Sequence, residues 1–338
     1  MKLFTVAAIQ MCSGITLEKN LCRAQELIDQ AAAKGAKLIL LPEYFCLMGN
    51  NELDKVMIAE PLGNGPIQTM LANTAKKNKI WLIGGTAPLI SENNTQKVRN
   101  TSLVYSPDGD LVQHYDKIHL FSYQGEQENF DEARTIVAGQ QTATCFINTA
   151  YVQDLRKTAL ARRTDEDSTQ IVRQGGLSRE FEQHAASLRN GLRLQAQTRP
   201  ARATQPGQFC VNHNEVLHIG LSICYDLRFP ELYRQMGISN PLDLIVVPAA
   251  FTYSTGQAHW EVLLRARAIE NQCYVLAAAQ GGIHENGRRT WGHSLLIDPW
   301  GKILAQLEND EGIVSGNIDL KHIAVIRKNL PALKHKVL

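Results

Sequence analysis

The chain has 338 residues, of which 44% are hydrophobic and 20% are charged, and its formal net charge is +2 at pH 7. This composition is that of a globular protein and excludes a disordered or a fibrous one. The near-neutral charge argues against a nucleic acid or an acidic membrane surface as a partner, and no apolar stretch approaches the roughly 20 residues that a membrane-spanning helix needs.

Strand and helix patterns alternate from the first residues onward. A strand at Leu3–Gln10, a helix over about 17–34 and a strand in AKLILLPE form a β-α-β unit. A second helix is predicted from about Pro66, since proline favours the first turn, to Lys77, and the strand IWLIGG follows it. The segment NTSLVYSPDGDLVQHYDKIHLF indicates two strands joined by a Pro-Asp-Gly turn.

The second half of the chain repeats this alternation. The run GLSICYDLRFPELYR begins as a strand, and LDLIVVPAAF is a second one. A helix is predicted over about Trp260–Asn271, followed by the strand CYVLAAA and by a hairpin in HSLLIDPWGKILAQL that turns at Asp298–Gly301. Nearly every residue of the strand runs is apolar, so we expect mixed sheets that helices cover.

One region has a different composition. Residues 151–208 contain one Tyr, one Phe and no Trp, and their ten Lys or Arg against six Asp or Glu give a net charge of +4. An amphipathic helix is predicted there, because four apolar residues have nearly helical spacing: Leu177, Phe181, Leu188 and Leu192. The following TRPARATQPGQ has the composition of a linker.

The start of the chain, MKLFTVAAIQM, is too short and too soon polar for a secretory signal. The seven cysteines are an odd number and include no Cys-x-x-Cys pair. These features predict a cytoplasmic protein with reduced thiols and without a zinc site.

Cys224 ends the apolar run Leu217–Ile223, and the end of a strand is where an open sheet presents side chains to a ligand crevice. Two interpretations are open. Cys224 is an inert buried residue, because free cysteine is among the most buried residue types, or it is a nucleophile. A nucleophile needs a nearby cation or base, because little of a free thiol is thiolate at neutral pH.

Two other strand ends carry residue types that would supply these partners. Glu43 closes LILLPE, and Lys117 follows the strand that leads into YDKIHLF. A carboxylate can take the thiol proton, and an ammonium can stabilise a thiolate and an oxyanion. Taken alone, a Glu or a Lys at a strand end is usually a solvated loop residue.

Three motifs together resemble the nitrilase superfamily, the carbon–nitrogen hydrolases with a Glu-Lys-Cys triad. The motifs are LPEYF around Glu43, YDKIHLF around Lys117 and GLSICYDLRFPELYR around Cys224, in the family's order. The similarity covers residues 1–148 and 210–338. The resemblance implies an α/β fold, the family's four-layer α-β-β-α sandwich, in a homodimer or a higher homo-oligomer.

By position, the resemblance implies Glu43 as general base, Lys117 as oxyanion stabiliser and Cys224 as nucleophile. Glu132 in FDEARTIVAG matches a second glutamate that helps to hold the lysine and the substrate. The backbone N–H of Tyr225 would join Lys117 in binding the oxyanion. The implied reaction passes through a thioester, releases an acid and ammonia, and needs no metal or organic cofactor.

Details of the motifs narrow the branch of the family. Cys-Tyr-Asp differs from the Cys-Trp-Glu of true nitrilases, and DLRFPE differs from the Arg-Arg-Trp-Pro-Glu of carbamoyl-amino-acid hydrolases. TGQAHWEVLLRARAIENQCYVLAAAQGG and WGHSLLIDPWG are similar to deaminated glutathione amidases. The alternative is an omega-amidase, which acts on 2-oxoglutaramate. Either resemblance implies a small-molecule amide of a 2-oxo acid as the substrate.

Such a substrate carries a carboxylate, so a cation is expected in its pocket. Arg228 is the candidate, and the competing interpretation is that Arg228 pairs with Asp226 or Glu231 to brace the loop. Thr252 is a candidate hydroxyl donor in the same pocket. The family's pattern includes two further residues that we interpret as packing and supporting ones, His259 and Trp260.

A segment at about 150–208 departs from the family's pattern. In relatives only a short hairpin separates the glycine that matches Gly139 from the nucleophile, whereas here Gly139 lies 85 residues before Cys224. The prediction is a single domain over 1–338 that this basic insertion interrupts between the strands TCFIN and EVLHIGLSI, where a loop tip tolerates it. The insertion is a disordered or loosely helical excursion, an interaction module, or a gene-level oddity.

A different class of function is a catalytically silent scaffold that displays the basic insertion to a partner. The insertion lacks the aromatic residues that stack on nucleic-acid bases. The presence of Glu43, Lys117, Glu132 and Cys224 argues against the scaffold.

Overall fold

The computed structural model describes residues 3–92, 94, 96–125, 129–150 and 215–337. Its α-helices in these ranges are α1 (Leu17–Ala33), α2 (Asp54–Met57), α3 (Pro66–Asn78), α4 (Pro230–Met236), α5 (Tyr253–Asn271) and α6 (Leu320–Asn329). Short 3₁₀-helices cover Glu132–Arg134, Cys224–Arg228 and Ala332–Lys334. The amphipathic helix and the linker predicted within 151–208 lie outside the described residues.

Most strands belong to two large sheets. The strands of the first sheet are β1 (Phe4–Gln10), β2 (Leu38–Leu40), β3 (Trp81–Ile83), β4 (Ala87–Ile90), β5 (Val98–Tyr105), β6 (Leu111–Asp116) and β17 (Gly312–Ile318). The strands of the second are β9 (Ala143–Asn148), β10 (Val216–Leu221), β11 (Leu244–Ala249), β12 (Tyr274–Ala279), β15 (Leu295–Ile297) and β16 (Ile303–Gln306). Two ribbons pair β7 (Ser122–Gln124) with β8 (Asn129–Asp131) and β13 (Gly281–Ile283) with β14 (Arg289–Trp291).

Both large sheets have three parallel strands at the centre. In the first sheet these are β1, β2 and β3, flanked by the antiparallel strands β17 and β5. In the second sheet they are β10, β11 and β12, flanked by β9 and β15. The carboxyl ends of parallel strands share one edge of a sheet, and such an edge is where an open α/β sheet presents a ligand site. Glu43 follows β2 and Cys224 follows β10.

Alternating residues of β1 belong to different hydrophobic cores. Val6 and Ala8 lie in the core that contains the second sheet, whereas Ala7 and Ile9 lie in the core with α1 and α3. Successive side chains of a strand point to opposite faces, so the first sheet has helices on one face and the second sheet on the other. The helices α4 and α5 pack on the second sheet. The predicted α-β-β-α sandwich is therefore confirmed.

The helix predicted from Trp260 begins earlier, at Tyr253, so the predicted start is wrong. The first turns of this helix contain Ser, Thr and Gly, which have low helix propensity. This stretch also lacks the apolar periodicity that predicts a helix. Packing explains the longer helix, because Gly256 lies so close to Trp291 that a Cβ at this position would fall 2.2 Å from the tryptophan Cβ. The boundaries of α1 and α3 and the turns at Gly109 and Gly301 follow the predictions closely.

The strands β9 and β10 form an antiparallel pair in which Asn148 is the partner of Val216. The chain between them therefore leaves and returns at the same end of the pair, while the residues on both sides of it belong to one compact unit. That residues 150–208 are an insertion into a smaller parent domain stays a prediction. Within the described ranges, no helix is both long and apolar enough to cross a membrane.

Candidate active site

Glu43 lies three residues beyond β2 and is fully buried. Its carboxylate accepts hydrogen bonds from three sides. Lys117 Nζ and Asn100 Nδ2 each donate to Oε1 at 2.9 Å, and the backbone N–H of Ala250 donates to Oε2 at 3.0 Å. A buried carboxylate with this many donors is held in one orientation, which a reacting group requires.

Lys117 directly follows β6 and is also fully buried. Its Nζ lies 2.9 Å from Glu43 Oε1 and 2.8 Å from Glu132 Oε2, so one ammonium bridges two carboxylates. Burial alone would lower the pKa of Lys117, but Glu132 and Glu43 outweigh burial and raise the pKa above its ordinary value. Lys117 therefore carries a positive charge at neutral pH.

Glu132 opens the 3₁₀-helix that follows β8. Besides Lys117, it accepts hydrogen bonds from the Tyr44 hydroxyl at 2.7 Å and from the backbone N–H of Phe121 at 2.7 Å. Burial opposes ionisation of this carboxyl, but Lys117 and these donors lower the pKa of Glu132 below its ordinary value. Glu132 is therefore an anion at neutral pH and is the second carboxylate that holds the Lys117 ammonium.

Cys224 is the first residue of the 3₁₀-helix Cys224–Arg228, which begins shortly after β10. Its φ is +49°, in the left-handed region that non-glycine residues rarely adopt. Such a conformation costs about 1–3 kcal/mol and persists only where the surroundings hold it in place, as they do at many functional sites. The strand end and this turn together present the Cys224 side chain to a pocket.

The thiol of Cys224 is under the influence of all three charged residues. Burial first, and then the negative charges of Glu43 and Glu132, raise the pKa of Cys224 well above its ordinary value. The charge of Lys117 and the backbone N–H of Ala250 act in the opposite direction without cancelling this effect. At neutral pH the sulfur is therefore a neutral thiol beside a carboxylate that can accept its proton.

Asp226 fixes the turn that carries the sulfur. It is fully buried, and its carboxylate accepts hydrogen bonds from the Ile223 backbone N–H at 2.9 Å and the Tyr115 hydroxyl at 2.8 Å. The backbone N–H of His119 donates to the same carboxylate at 3.1 Å. One carboxylate thus connects the Cys224 turn to the segment that contains Lys117.

The predicted substrate-binding residues lie around one small cavity next to the sulfur. Its lining consists of Phe121, Cys224, Tyr225, Arg228, Ala250, Phe251, Thr252 and Thr255. Its volume is about 10 Å³, the room for about one water, so side chains have to move before a substrate can occupy it. The structure therefore brings all seven predicted site residues to one place, because four of them line this cavity and the charges of Glu43, Lys117 and Glu132 act on the Cys224 thiol.

Arg228 does not brace the loop through Asp226 or Glu231, so that interpretation is wrong. Asp226 is occupied by other donors, and Arg228 Nη1 lies 3.2 Å from His259 Nδ1 instead. The guanidinium stacks over the rings of Tyr225 and Phe251, with its central carbon 5.6 Å and 5.4 Å from the ring centroids. Arg228 thus stays in the pocket as a cation without a carboxylate partner among the described residues.

Sequence reasoning missed four residues that support the cluster. They are Tyr44, Asn100, Asp226 and Thr255. Tyr44 follows Glu43 in LPEYF, and Asp226 lies in CYDLR, so two of them stood inside motifs already singled out. Across the described residues, no group of three or more His, Cys, Asp or Glu side chains is arranged to hold a metal ion.

Comparisons with known proteins identify related sequences. The family model for carbon–nitrogen hydrolases matches residues 5–328. A deaminated glutathione amidase of Synechocystis sp. is 33% identical, and the match covers 100% of this chain and 99% of the amidase. The omega-amidase NIT2 of Mus musculus is 31% identical and covers 99% of this chain and 96% of its own.

Solved structures show the same fold. The NitFhit protein of C. elegans is 29% identical to this chain, with a TM-score of 0.73. The match covers 99% of this chain but only 65% of the longer NitFhit chain. Saccharomyces cerevisiae Nit3, a member of the nitrilase superfamily, is 26% identical with a TM-score of 0.69, and the match covers 98% of this chain and 95% of Nit3.

Proposed function

The chain belongs to the carbon–nitrogen hydrolase family, and from this premise we propose that it is an amidase that uses Cys224, Glu43 and Lys117 to hydrolyse deaminated glutathione. The observation that carries the proposal is the buried Lys117 ammonium between two carboxylates beside a buried thiol. Burying three charges is costly. A silent scaffold gains nothing from this arrangement, whereas an acyl-transfer enzyme needs it.

Acylation begins with proton transfer. The Cys224 sulfur attacks the amide carbonyl carbon while Glu43 accepts the thiol proton, because the raised pKa of Cys224 leaves the resting sulfur neutral. The C=O electron pair moves to oxygen, and Lys117, whose pKa is raised, supplies a fixed positive charge for that oxyanion. The backbone N–H of Tyr225 is the second donor, since the first N–H groups of a helix have no partner within the helix.

Collapse of the tetrahedral intermediate breaks the C–N bond. Glu43 returns its proton to the departing nitrogen, and the acyl group stays on Cys224 as a thioester. Water then attacks the thioester carbonyl while Glu43 accepts a proton, and the C–S bond breaks as that proton passes to the sulfur. The acid leaves, and Glu132 holds Lys117 in place through both half-reactions.

The leaving group distinguishes the two candidate substrates. Glutathione is γ-glutamylcysteinylglycine, so hydrolysis of its deaminated form gives 2-oxoglutarate and cysteinylglycine. 2-Oxoglutaramate gives 2-oxoglutarate and ammonia. The release of ammonia expected from the sequence is therefore wrong for deaminated glutathione, which releases cysteinylglycine instead. An assay has to follow 2-oxoglutarate, because both substrates give this product.

Arg228 is our proposed partner for the carboxylate of the 2-oxo acid. Its guanidinium lines the cavity next to Cys224 and has no carboxylate partner among the described residues. Thr252 lines the same cavity, and its hydroxyl shares a 2.7 Å hydrogen bond with that of Thr255. A bidentate guanidinium with hydroxyl donors beside it suits a 2-oxo acid group.

The oligomeric state and the cellular location are further proposals. We propose a homodimer or a higher homo-oligomer, which light scattering on the purified chain would measure. We also propose a cytoplasmic location, since the six described cysteines are all free, which suits a reducing compartment.

The test is hydrolysis by the purified full chain. We expect 2-oxoglutarate from deaminated glutathione at a kcat/KM above that for 2-oxoglutaramate, and none from Cys224→Ala. A higher kcat/KM for 2-oxoglutaramate would make the protein an omega-amidase instead. Equal release by wild type and Cys224→Ala would refute the nucleophile.

A further inference from the structure

A second cavity of about 360 Å³ lies near the reacting cluster, and the mechanism above does not use it. Its lining includes Tyr44, Met48, Lys55, Phe130, Asn286 and Arg288. This volume falls within the range of small-molecule pockets. It contrasts with the cavity beside Cys224, which has room for about one water.

The two cavities are neighbours, because residues that line one contact residues that line the other. Phe121 lines the cavity of Cys224 and packs on Phe130 of the second cavity, with ring centroids 5.8 Å apart. Arg288 Nη2 lies 3.4 Å from the backbone oxygen of Ala250, which lines the cavity of Cys224. A substrate held at the sulfur therefore has a neighbouring space for a longer leaving group.

Arg288 is a half-buried cation without a counterion in the described part of the chain. Its Nε is buried and has no hydrogen-bond partner there. Its other contacts are weak ones, to the Met48 sulfur at 3.8 Å and to Ala250, and the guanidinium lies over the Phe130 ring at 5.0 Å. An uncompensated guanidinium is costly to bury, and a bound carboxylate would compensate it.

The other charges of this cavity nearly cancel each other. Lys55 Nζ pairs with Glu52 Oε2 at 2.8 Å, and both residues belong to the lining. Arg288 therefore leaves the described lining with a net positive charge. This charge favours an anionic ligand over a neutral one.

We propose that the second cavity binds the terminal carboxylate of an extended leaving group through Arg288. The inference rests on the proposed function and deepens it, because it names the class of substrate: amides of a 2-oxo acid whose nitrogen carries an acidic, dipeptide-sized group. Two extended residues reach roughly 7 Å, which suits a neighbouring subsite. 2-Oxoglutaramate, whose leaving group is ammonia, cannot use this subsite.

The test is a specificity ratio. Arg288→Gln removes the charge and keeps a polar side chain, and we expect it to lower the ratio of kcat/KM for deaminated glutathione to that for 2-oxoglutaramate by about tenfold or more, mainly through KM, since the loss of one charged hydrogen bond has this effect. Arg288→Lys should recover part of the ratio. The matched control is Arg289→Gln, because Arg289 is exposed and stacks on Tyr253 outside the cavity.

A binding measurement separates this inference from the proposed function. Calorimetry with deaminated glutathione should give a Kd for Cys224→Ala that rises at least about tenfold in Cys224→Ala/Arg288→Gln. If wild type hydrolyses neither amide but this difference in Kd holds, the proposed function fails and the subsite stands. An unchanged ratio and Kd, or an equal loss for both substrates, would overturn the subsite.

Discussion

Nδ1 of His119 lies 2.7 Å from Oδ1 of Asp226, and this contact joins the turn that carries Cys224 to the residues just after Lys117. Cys224 and Lys117 come from different sheets, and the Asp226 carboxylate links the chain just after Lys117 to the turn that carries Cys224. The His119 ring also stacks on Phe229, with ring centroids 3.7 Å apart, and this stacking helps to hold His119 against Asp226. The distance between sulfur and ammonium therefore depends on a residue that does not react.

Replacing Asp226 with Asn should lower kcat by tenfold or more and the free energy of unfolding by about 1–3 kcal/mol. One carboxylate oxygen becomes an N–H donor that faces other donors, and a small displacement of a reacting group is costly in rate. Hydrolysis and urea unfolding measure the two effects. Glu231→Gln is the matched control, because Glu231 is an exposed acid nearby on the first turn of α4. Equal behaviour of the two variants would contradict the role of Asp226.

Lys117→Met should abolish hydrolysis and lower the free energy of unfolding by about 3–5 kcal/mol, since it leaves Glu43 and Glu132 buried without their cation. The control is Lys77→Met, which removes an exposed ion pair with Asp29 and should cost no more than about 1 kcal/mol. Urea unfolding at pH 7 compares them. A variant as stable as wild type would contradict the role of Lys117 in compensating the two buried carboxylates.

The stability of the protein should fall on acidification partly through Glu132. The pKa of Glu132 is lowered in the folded state, so its contribution is present above its ordinary value of 4.5 and is lost as pH falls below that value through the folded pKa. The slope from this one group is at most about 1.4 kcal/mol per pH unit. In Glu132→Gln we expect a smaller loss of unfolding free energy below pH 4.5 than in wild type. If the unfolding free energies of the two proteins fell in parallel below pH 4.5, Glu132 would not be a source of the acid destabilisation.

The contribution of Lys117 to stability has the opposite pH dependence, because it is lost at alkaline pH. The pKa of Lys117 is raised in the folded state, so its contribution is complete below its ordinary value of 10.5 and is lost only as pH rises through the higher folded value. Both contributions are therefore present between pH 4.5 and 10.5.

Deleting residues 151–207 should leave kcat, KM and the oligomeric state unchanged. The strands on either side already pair, with Asn148 opposite Val216, and a shorter connection between them costs less closure entropy, so the free energy of unfolding should rise by roughly 1–2 kcal/mol. Kinetics, light scattering and urea unfolding test the three statements. Loss of turnover or of subunits would assign the segment a functional role.

The sequence alone determined that helices cover the sheets, and its resemblance to a known family supplied the four layers and the candidate reacting residues. Strand runs that are apolar at nearly every position required two covered faces, and three motifs, through the family that they resemble, predicted Glu43, Lys117 and Cys224 as members of one site. These signals are local, because burial and chemistry impose them within a few neighbouring residues. They could be read without knowing which segments meet.

Only the tertiary structure decided what surrounds those residues. Tyr44 meets Glu132, 88 residues away, and Arg288 meets Ala250, 38 residues away, across elements that no periodicity connects. The same holds for Gly256, which lets α5 begin against Trp291. The physical reason is that periodicity records whether a side chain is buried, whereas its partner, its pKa and the cavity that it lines depend on how two sheets and their edge loops pack together.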